Sequence, residues 1–236
     1  MAKIGIIVSA GTQSRFKRQL PKALIDIKGE PLLNLNIKNL MLVCDKVYII
    51  CSHQNKQYFT GYSNVIEISS GFGCGDAVLK ALTKIPHQKN DTCFIQWGDS
   101  LQNPILYKEC INNYKGDVII PCNKEQHPYV QIIKNNKNLQ VLFSKYNENT
   151  SEGFHDLSVF YGNIDIFKKY LLEFQNKILV NGKYHHKHGN EMQFLDIFNE
   201  TNIKAQIINM RGIQSYSFNT LKELENIKNI LRETDV

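Results

Sequence analysis

The 236 residues suffice for one large domain, and an apolar content of 42% is that of an ordinary globular core. The formal charge of +6 is scattered along the chain rather than gathered into a stripe, which argues against a nucleic-acid partner. No apolar run approaches the ~20 residues of a membrane span, and the N-terminus lacks the charged-then-apolar pattern of a secretory leader, so no membrane insertion and a cytoplasmic location are expected.

The chain opens with a buried strand over residues 4–9, which runs into Ala10-Gly11-Thr12-Gln13-Ser14-Arg15. Phe16-Lys17-Arg18-Gln19-Leu20 and Pro21-Lys22-Ala23-Leu24 follow, and Gly29-Glu30-Pro31-Leu32-Leu33 leads into a helix over 32–42. A turn of small residues lets backbone N–H groups approach an anion closely. The only compact group of cations, Arg15, Lys17, Arg18 and Lys22, surrounds that turn, as a site for a triphosphate requires.

Strand patterns at 47–51, 65–68, 93–97 and 118–121 alternate with helix patterns at 55–62, 75–84 and 104–114. This alternation predicts a mostly parallel sheet with helices on both faces, and ligands bind such sheets beyond the carboxyl ends of the strands. Residues 69–78 are glycine-rich and open a helix, whose free N–H groups can face a ligand. The strand at 93–97 exits into Gly98-Asp99, which puts a carboxylate at the same end of the sheet.

Beyond residue 122 the pattern changes. Strands at 129–134 and 139–144 flank a polar turn, another strand is expected over 156–162, and helices over 164–176 and 192–200 bracket a polar loop containing Asn181-Gly182. Strands at 205–209 and 216–218 precede a last helix starting at Thr220, where Glu223 completes a capping box. The expectation is a single domain over 1–236, with a nucleotide-binding half (1–122) and an acceptor-binding half (123–236). Cys44, Cys51, Cys74, Cys93, Cys110 and Cys122 form no C-x-x-C pair and read as reduced thiols. His185-His186-Lys187-His188 invites a metal reading, but without partnering cysteines it reads better as a solvated or phosphate-facing loop.

Ser9-Ala10-Gly11, Arg15, Pro21-Lys22, Gly29 and Pro31-Leu32-Leu33 together resemble the signature of the nucleotidyltransferases with a glycosyltransferase-A-like fold. These are MobA-like enzymes of the sugar-phosphate nucleotidyltransferase and cytidylyltransferase type. The resemblance implies a Rossmann-like α/β fold with a small mixed-β acceptor portion. It also implies Mg2+-dependent transfer of a nucleoside monophosphate from a nucleoside triphosphate to a phosphorylated small molecule. It assigns Lys22 and Arg15 to catalysis, and Ser9, Ala10, Gly11, Thr12, Gly71, Gly75, Asp76 and Gly98 to the nucleotide. Lys145 and Glu191 fall to the acceptor, with Asp196 as a further acceptor candidate or a solvated helix residue, and Asp99 and Asn219 to the metal. The chain departs from the pattern at Thr12-Gln13 (a second glycine in the family), Ala77 (serine), Ser144 (glutamate) and Ser217 (often aspartate). The 69–78 segment and the short spacer before Pro21 are most similar to the cytidylyltransferase branch, so CTP is the favoured donor. The acceptor is expected to be a sugar phosphate, alditol phosphate, phosphocholine or phosphoglutamine, in capsule or surface-polysaccharide synthesis. UTP, dTTP or GTP with a sugar 1-phosphate, and a non-catalytic nucleotide-binding module, are the alternatives. A glycosyltransferase of the same fold would show D-x-D near Asp99 and no Pro-Lys, the reverse of what stands here.

Overall fold

The computed structural model describes every residue except 12–19, 70–71, 136–137, 144–151, 188 and 234–236. The chain begins with β1 (Lys3–Ser9), a 3-10 turn (Lys22–Leu24), and the short pair β2 (Asp26–Ile27) and β3 (Glu30–Pro31). Next come α1 (Leu32–Met41), β4 (Lys46–Ser52), a 3-10 segment (His53–Phe59), β5 (Val65–Ile68) and α2 (Cys74–Lys84). β6 (Thr92–Trp97), β7 (Ser100–Gln102), α3 (Pro104–Asn113) and β8 (Val118–Glu125) close the first half. The second half contains β9 (Val130–Asn135), β10 (Asn138–Phe143), β11 (Gly153–Asp156), β12 (Val159–Asn163) and α4 (Ile164–Ile178). It ends with the pair β13 (Leu179–Val180) and β14 (Lys183–Tyr184), a 3-10 turn (Phe194–Asp196), α5 (Ile197–Glu200), β15 (Ala205–Asn209), β16 (Ser215–Ser217) and α6 (Leu221–Glu233).

One ten-stranded sheet organises these elements in the order β10-β9-β11-β8-β12-β6-β1-β4-β5, with β15 added beside β8. Pairing is parallel among β6, β1, β4 and β5 and between β8 and β15; from β12 outward to β10 it is antiparallel. The parallel part brings the carboxyl ends of β1 and β6 side by side, since Val8 is in register with Trp97.

Side chains alternate between the two faces, as the strand period of two requires. Ile4 and Ile6 of β1 join one core layer and Ile7 the other; Cys93 and Ile95 of β6 oppose Phe94 in the same way. α2 and α4 close the first layer with Val78, Leu82, Phe167 and Phe174; α1 and α3 close the second with Leu33, Leu40, Leu106 and Tyr107. α6 packs over a smaller third cluster, Ile25, Ile27, Leu32 and Phe218 with Leu224, Ile227 and Leu231. Among the described residues no helix is long and apolar enough to cross a membrane. Burial pushes the Cys44 thiol up to about 12 and the Cys74 thiol up to about 11, which keeps both protonated.

Several elements differ from the sequence expectation, each for a local reason. Residues 55–62 do not make an α-helix; His53–Phe59 is 3-10, and Phe59 is the residue it buries. The strand expected over 156–162 is broken in two. Ser158 takes a positive φ of 62°, and its N–H donates to Asp156 Oδ1 at 2.9 Å, a local turn that competes with the ladder. The polar loop at Asn181-Gly182 is the turn of the β13–β14 pair, with both residues at positive φ as a tight hairpin demands. The helix expected over 192–200 is a 3-10 turn followed by a four-residue α-helix.

Asp91 ties the N-terminus to the sheet. Its carboxylate accepts from Ala2 N at 2.7 Å and from Gln88 N at 2.8 Å, and these N–H groups hold its carboxyl below the usual carboxylate range. Asp91→Ala is expected to cost about 2 kcal/mol, measured as a lower urea midpoint at neutral pH. Because the folded-state value is depressed, this contribution is complete above the ordinary carboxylate range and is lost as pH falls through the depressed value. Wild type and variant therefore converge in acid.

Candidate active site

The site is built on the exits of β1 and β6. Gly98 folds the chain back across the end of β1, where its N–H donates to Val8 O at 2.9 Å. A Cβ at this position would stand 2.2 Å from Ser9 Oγ and 3.0 Å from Val8 O, so a larger residue would have to turn the Ser9 hydroxyl aside and ease the crossing apart. The turn carrying Asp99 is fastened from below. Ser100 O accepts from buried Asn36 Nδ2 on α1 at 2.8 Å and from Gln96 Nε2 at 3.3 Å, Ser100 Oγ donates to Trp97 O at 2.8 Å, and Tyr107 OH donates to Gln96 Oε1 at 2.6 Å.

Lys22 starts the 3-10 turn capped by Pro21, and Ala23 beside it is buried against the Gly98 crossing. The Lys22 ammonium donates to Asp99 Oδ2 at 2.9 Å, to the backbone oxygen of Phe218 at 3.0 Å and to Asn219 Oδ1 at 3.2 Å. Its side chain is 11% exposed and that of Asp99 32%. Residues far apart in sequence thus meet at one nitrogen.

The third corner arrives through β16, which pairs antiparallel with β7: Ser217 lies opposite Ser100, and Phe218 N donates to Asp99 O at 3.4 Å. Ser217 itself is exposed; Asn219 is the residue whose side chain reaches the cluster. The capping box forms as expected and holds this corner in place. Glu223 accepts from Asn219 N at 2.5 Å and from Thr220 N at 2.9 Å, while Glu223 N donates to Thr220 Oγ1 at 3.2 Å. Glu223→Ala is expected to lower kcat by about tenfold through loss of this positioning, with KM for the nucleotide changed less. Steady-state kinetics at saturating metal tests the split; an unchanged kcat would leave Glu223 a helix cap alone.

Among the described residues the Lys22 ammonium donates to a carboxylate, an amide and a carbonyl oxygen. This set suits a hard cation such as Mg2+, which protein sites commonly hold with one or two carboxylates plus substrate phosphates. Ser9 Oγ, under the Gly98 crossing, is buried and has no hydrogen-bond partner among the described residues. Ala10 is buried and Gly11 exposed, and Gly11 O accepts from Asn55 Nδ2 at 3.3 Å. Thr12, Arg15, Lys17, Arg18, Gly71, Ser144 and Lys145 lie outside the described residues.

The glycine-rich segment is turned inward more than its sequence suggests. Gly75 N donates to Met192 O at 2.8 Å and Phe72 O accepts from Met192 N at 2.7 Å, so this segment and the 190–193 segment are clipped together. The Asp76 carboxylate is buried and engaged by protein groups: Phe72 N at 3.0 Å, Tyr184 OH at 2.7 Å and Lys80 Nζ at 2.7 Å. Glu191 is exposed and accepts from Gln193 Nε2 at 2.8 Å. Asp196 is neither an accessible acceptor contact nor a solvated helix residue. It is fully buried, 3.4 Å from His186 Nδ1, because the 3-10 turn points it into the core.

Among the described residues no three His, Cys, Asp or Glu side chains are grouped to hold a metal; His186 is packed edge-on against Phe174 and lies near Asp196 and Glu200. A cavity of about 660 Å³ runs between β10 and α5 and is lined by none of Lys22, Asp99 and Asn219. Sequence reasoning missed the Phe218 carbonyl and the β7–β16 pair. The signal within reach was the Thr220–Glu223 capping box, which anchors whatever residue precedes it.

A family model described as the MobA-like NTP transferase domain matches residues 5–154. The bifunctional protein GlmU of Aliarcobacter butzleri is 32% identical over 82 residues, a stretch covering 31% of this chain and only 19% of that protein. Two solved structures share the fold over nearly the whole chain. The inositol-1-phosphate CTP transferase of T. maritima superposes with a TM-score of 0.73 at 11% identity, over 97% of this chain and 94% of that one. A Bacillus anthracis protein assigned as a glucose-1-phosphate thymidylyltransferase gives 0.75 at 14% identity, over 98% and 96%. The family match spans more than half of the chain, and the chain belongs to the MobA-like NTP transferases, a family of nucleotidyltransferases.

Proposed function

We propose that this protein is a cytoplasmic, Mg2+-dependent cytidylyltransferase that joins CMP to the phosphate of a small phosphorylated metabolite and releases pyrophosphate. The observation that carries the transferase reading is the convergence of Lys22, Asp99 and Asn219 beside the β1 exit. CTP rests on the likeness of residues 69–78 to the cytidylyltransferase branch. The shared fold with an inositol-1-phosphate CTP transferase agrees with it, and that protein's polyol phosphate is the acceptor class to try first.

In this reading an oxygen of the acceptor phosphate attacks the α-phosphorus in line. The bond from that phosphorus to the bridging oxygen breaks, and pyrophosphate leaves with the electron pair. The acceptor phosphate is already an anion, so no general base is required. Asp99 and Asn219 would hold the metal, which would supply positive charge against the triphosphate. Lys22 and Arg15 supply the remaining positive charge to the transferring phosphoryl group and to the leaving pyrophosphate. In this reading Ser9, Ala10, Gly11, Thr12, Gly71 and Gly98 are assigned to the nucleotide, with Gly75 and Asp76 holding the start of α2 through Met192 O, Phe72 N and Tyr184 OH. Lys145 and Glu191 belong to the acceptor side, in a half (123–236) that completes one nucleotidyltransferase unit with residues 1–122. Decoration of a capsule or surface polysaccharide is the corresponding role.

Pyrophosphate release with Mg2+ tests this, for CTP, UTP, GTP, ATP and dTTP against inositol, glucose, glycerol and ribitol phosphates, phosphocholine and phosphoglutamine. CTP with one of these acceptors is the expected productive pair. Turnover with dTTP or UTP and a sugar 1-phosphate would replace the cytidylyl reading. Nucleotide binding without turnover for any pair would favour a non-catalytic module.

A further inference from the structure

The two side-chain oxygens that would hold the metal, Asp99 Oδ2 and Asn219 Oδ1, also hold the Lys22 ammonium, together with Phe218 O. Asp99 Oδ2, Phe218 O and Asn219 Oδ1 stand 2.9, 3.0 and 3.2 Å from Nζ, on a lysine side chain that is 11% exposed. We infer that Lys22 is the counter-ion of the metal position in the ligand-free protein, and that it gives up these oxygens to the divalent cation only when the cation arrives with its nucleotide. The inference rests on the transferase reading above and adds a step to it.

Charge bookkeeping requires the exchange. Lys22 and Asp99 cancel. A divalent cation placed on Asp99 and Asn219 with the ammonium still there would add two positive charges close to a third, in a partly buried site where Asp99 is the carboxylate paired with Lys22 among the described residues. A metal–triphosphate complex removes the conflict, because it carries its own negative charge. Lys22 then exchanges the Asp99 carboxylate and the neutral Phe218 and Asn219 oxygens for oxygens of the phosphates, and moves from a resting ion pair to the group undergoing transfer. The same movement explains why a lysine suits this position better than arginine: a flexible stem with a compact ammonium can be re-aimed, whereas a planar guanidinium is committed to its fork. The protein is therefore a poor ligand for free divalent cations and a good one for metal–nucleotide.

Free Mn2+ titrated into the full-length protein without nucleotide, and followed by the electron paramagnetic resonance signal of the unbound ion, tests this directly. Lys22→Ala is expected to bind Mn2+ at least about tenfold more tightly than wild type, the effect of removing a cation adjacent to the metal position. Lys22→Ala with Asp99→Asn should lose the gain. Lys22→Gln serves if the alanine variant does not fold, and circular dichroism decides that. A folded Lys22 variant that binds Mn2+ no better than wild type overturns the exchange, even when wild type binds Mn2+·CTP normally in calorimetry. The opposite combination, a gain in free Mn2+ affinity in a protein that binds no nucleotide, retains the shared position and overturns the transferase reading.

Discussion

Lys22→Ala should lower kcat/KM by about a thousandfold, or ~4 kcal/mol of transition-state stabilisation, while leaving the fold intact. The reason is positional. Lys22 sits where β1, β6 and the C-terminal segment meet, and its ammonium is the cation the structure places on Asp99 and Asn219. The charge that develops when the bridging bond breaks needs a compensating cation already in place, and a substitute from solvent costs reorganisation at the moment of reaction. The lost activity should appear chiefly in kcat, because a cation aimed at the transferring group acts more on the transition state than on the ground state. Steady-state kinetics of pyrophosphate release measures it, with the circular dichroism spectrum as a control. A variant retaining wild-type turnover would remove Lys22 from the chemistry.

The second large effect concerns stability. Gly73 has φ 101° and ψ 165°, a backbone region that is essentially glycine-only. A Cβ there would lie 2.5 Å from Met192 O and 2.9 Å from Met192 C and N, all of them backbone atoms. Gly73→Ala must therefore strain its own φ or part the glycine-rich segment from residues 190–193. That would break the contacts Met192 N to Phe72 O and Gly75 N to Met192 O. The expected cost is about 3–4 kcal/mol, a fall in Tm on the order of 10 °C for a chain of this size. Differential scanning calorimetry checks it, and a Tm within about 2 °C of wild type would mean that the two segments are not clamped as described. Because the segments border the expected nucleotide and acceptor sides, the variant should also weaken nucleotide binding.

Much of this arrangement was legible before any coordinates. The strand at the N-terminus, the β/α alternation to residue 122, the Gly-Asp exit of β6 and the Thr220–Glu223 capping box all follow from local rules: periodicity, turn chemistry and side-chain caps. Each involves residues within a few positions of one another, so the sequence states them directly. The fold class and the place of the site beyond the ends of parallel strands follow from the same patterns.

Other features were set by contacts between distant segments. Asp76 looked like a ligand contact from its place at the mouth of α2. It is buried because Tyr184, from the β13–β14 pair, donates into it from more than a hundred residues away. Asp196 is hidden because a 3-10 turn, not a regular helix, carries it, and no propensity argument separates the two over so short a stretch. The break at Ser158 depends on one Asx hydrogen bond that the hydrophobic alternation of residues 156–162 conceals.

The sequence by itself determined a nucleotidyltransferase-like α/β chain and named Lys22, Asp99 and Asn219 as candidates, with Ser217 standing where the resembled family often has an aspartate. The tertiary structure alone decided that these three meet at one nitrogen, that Ser217 is exposed, and that the Phe218 carbonyl joins them. The physical reason is the β7–β16 pair. Its antiparallel register brings residues 215–219 against the exit of β6 across more than a hundred intervening positions, and pairing at that separation is set by the packing of α6 over Ile25, Ile27 and Leu32 rather than by any local preference.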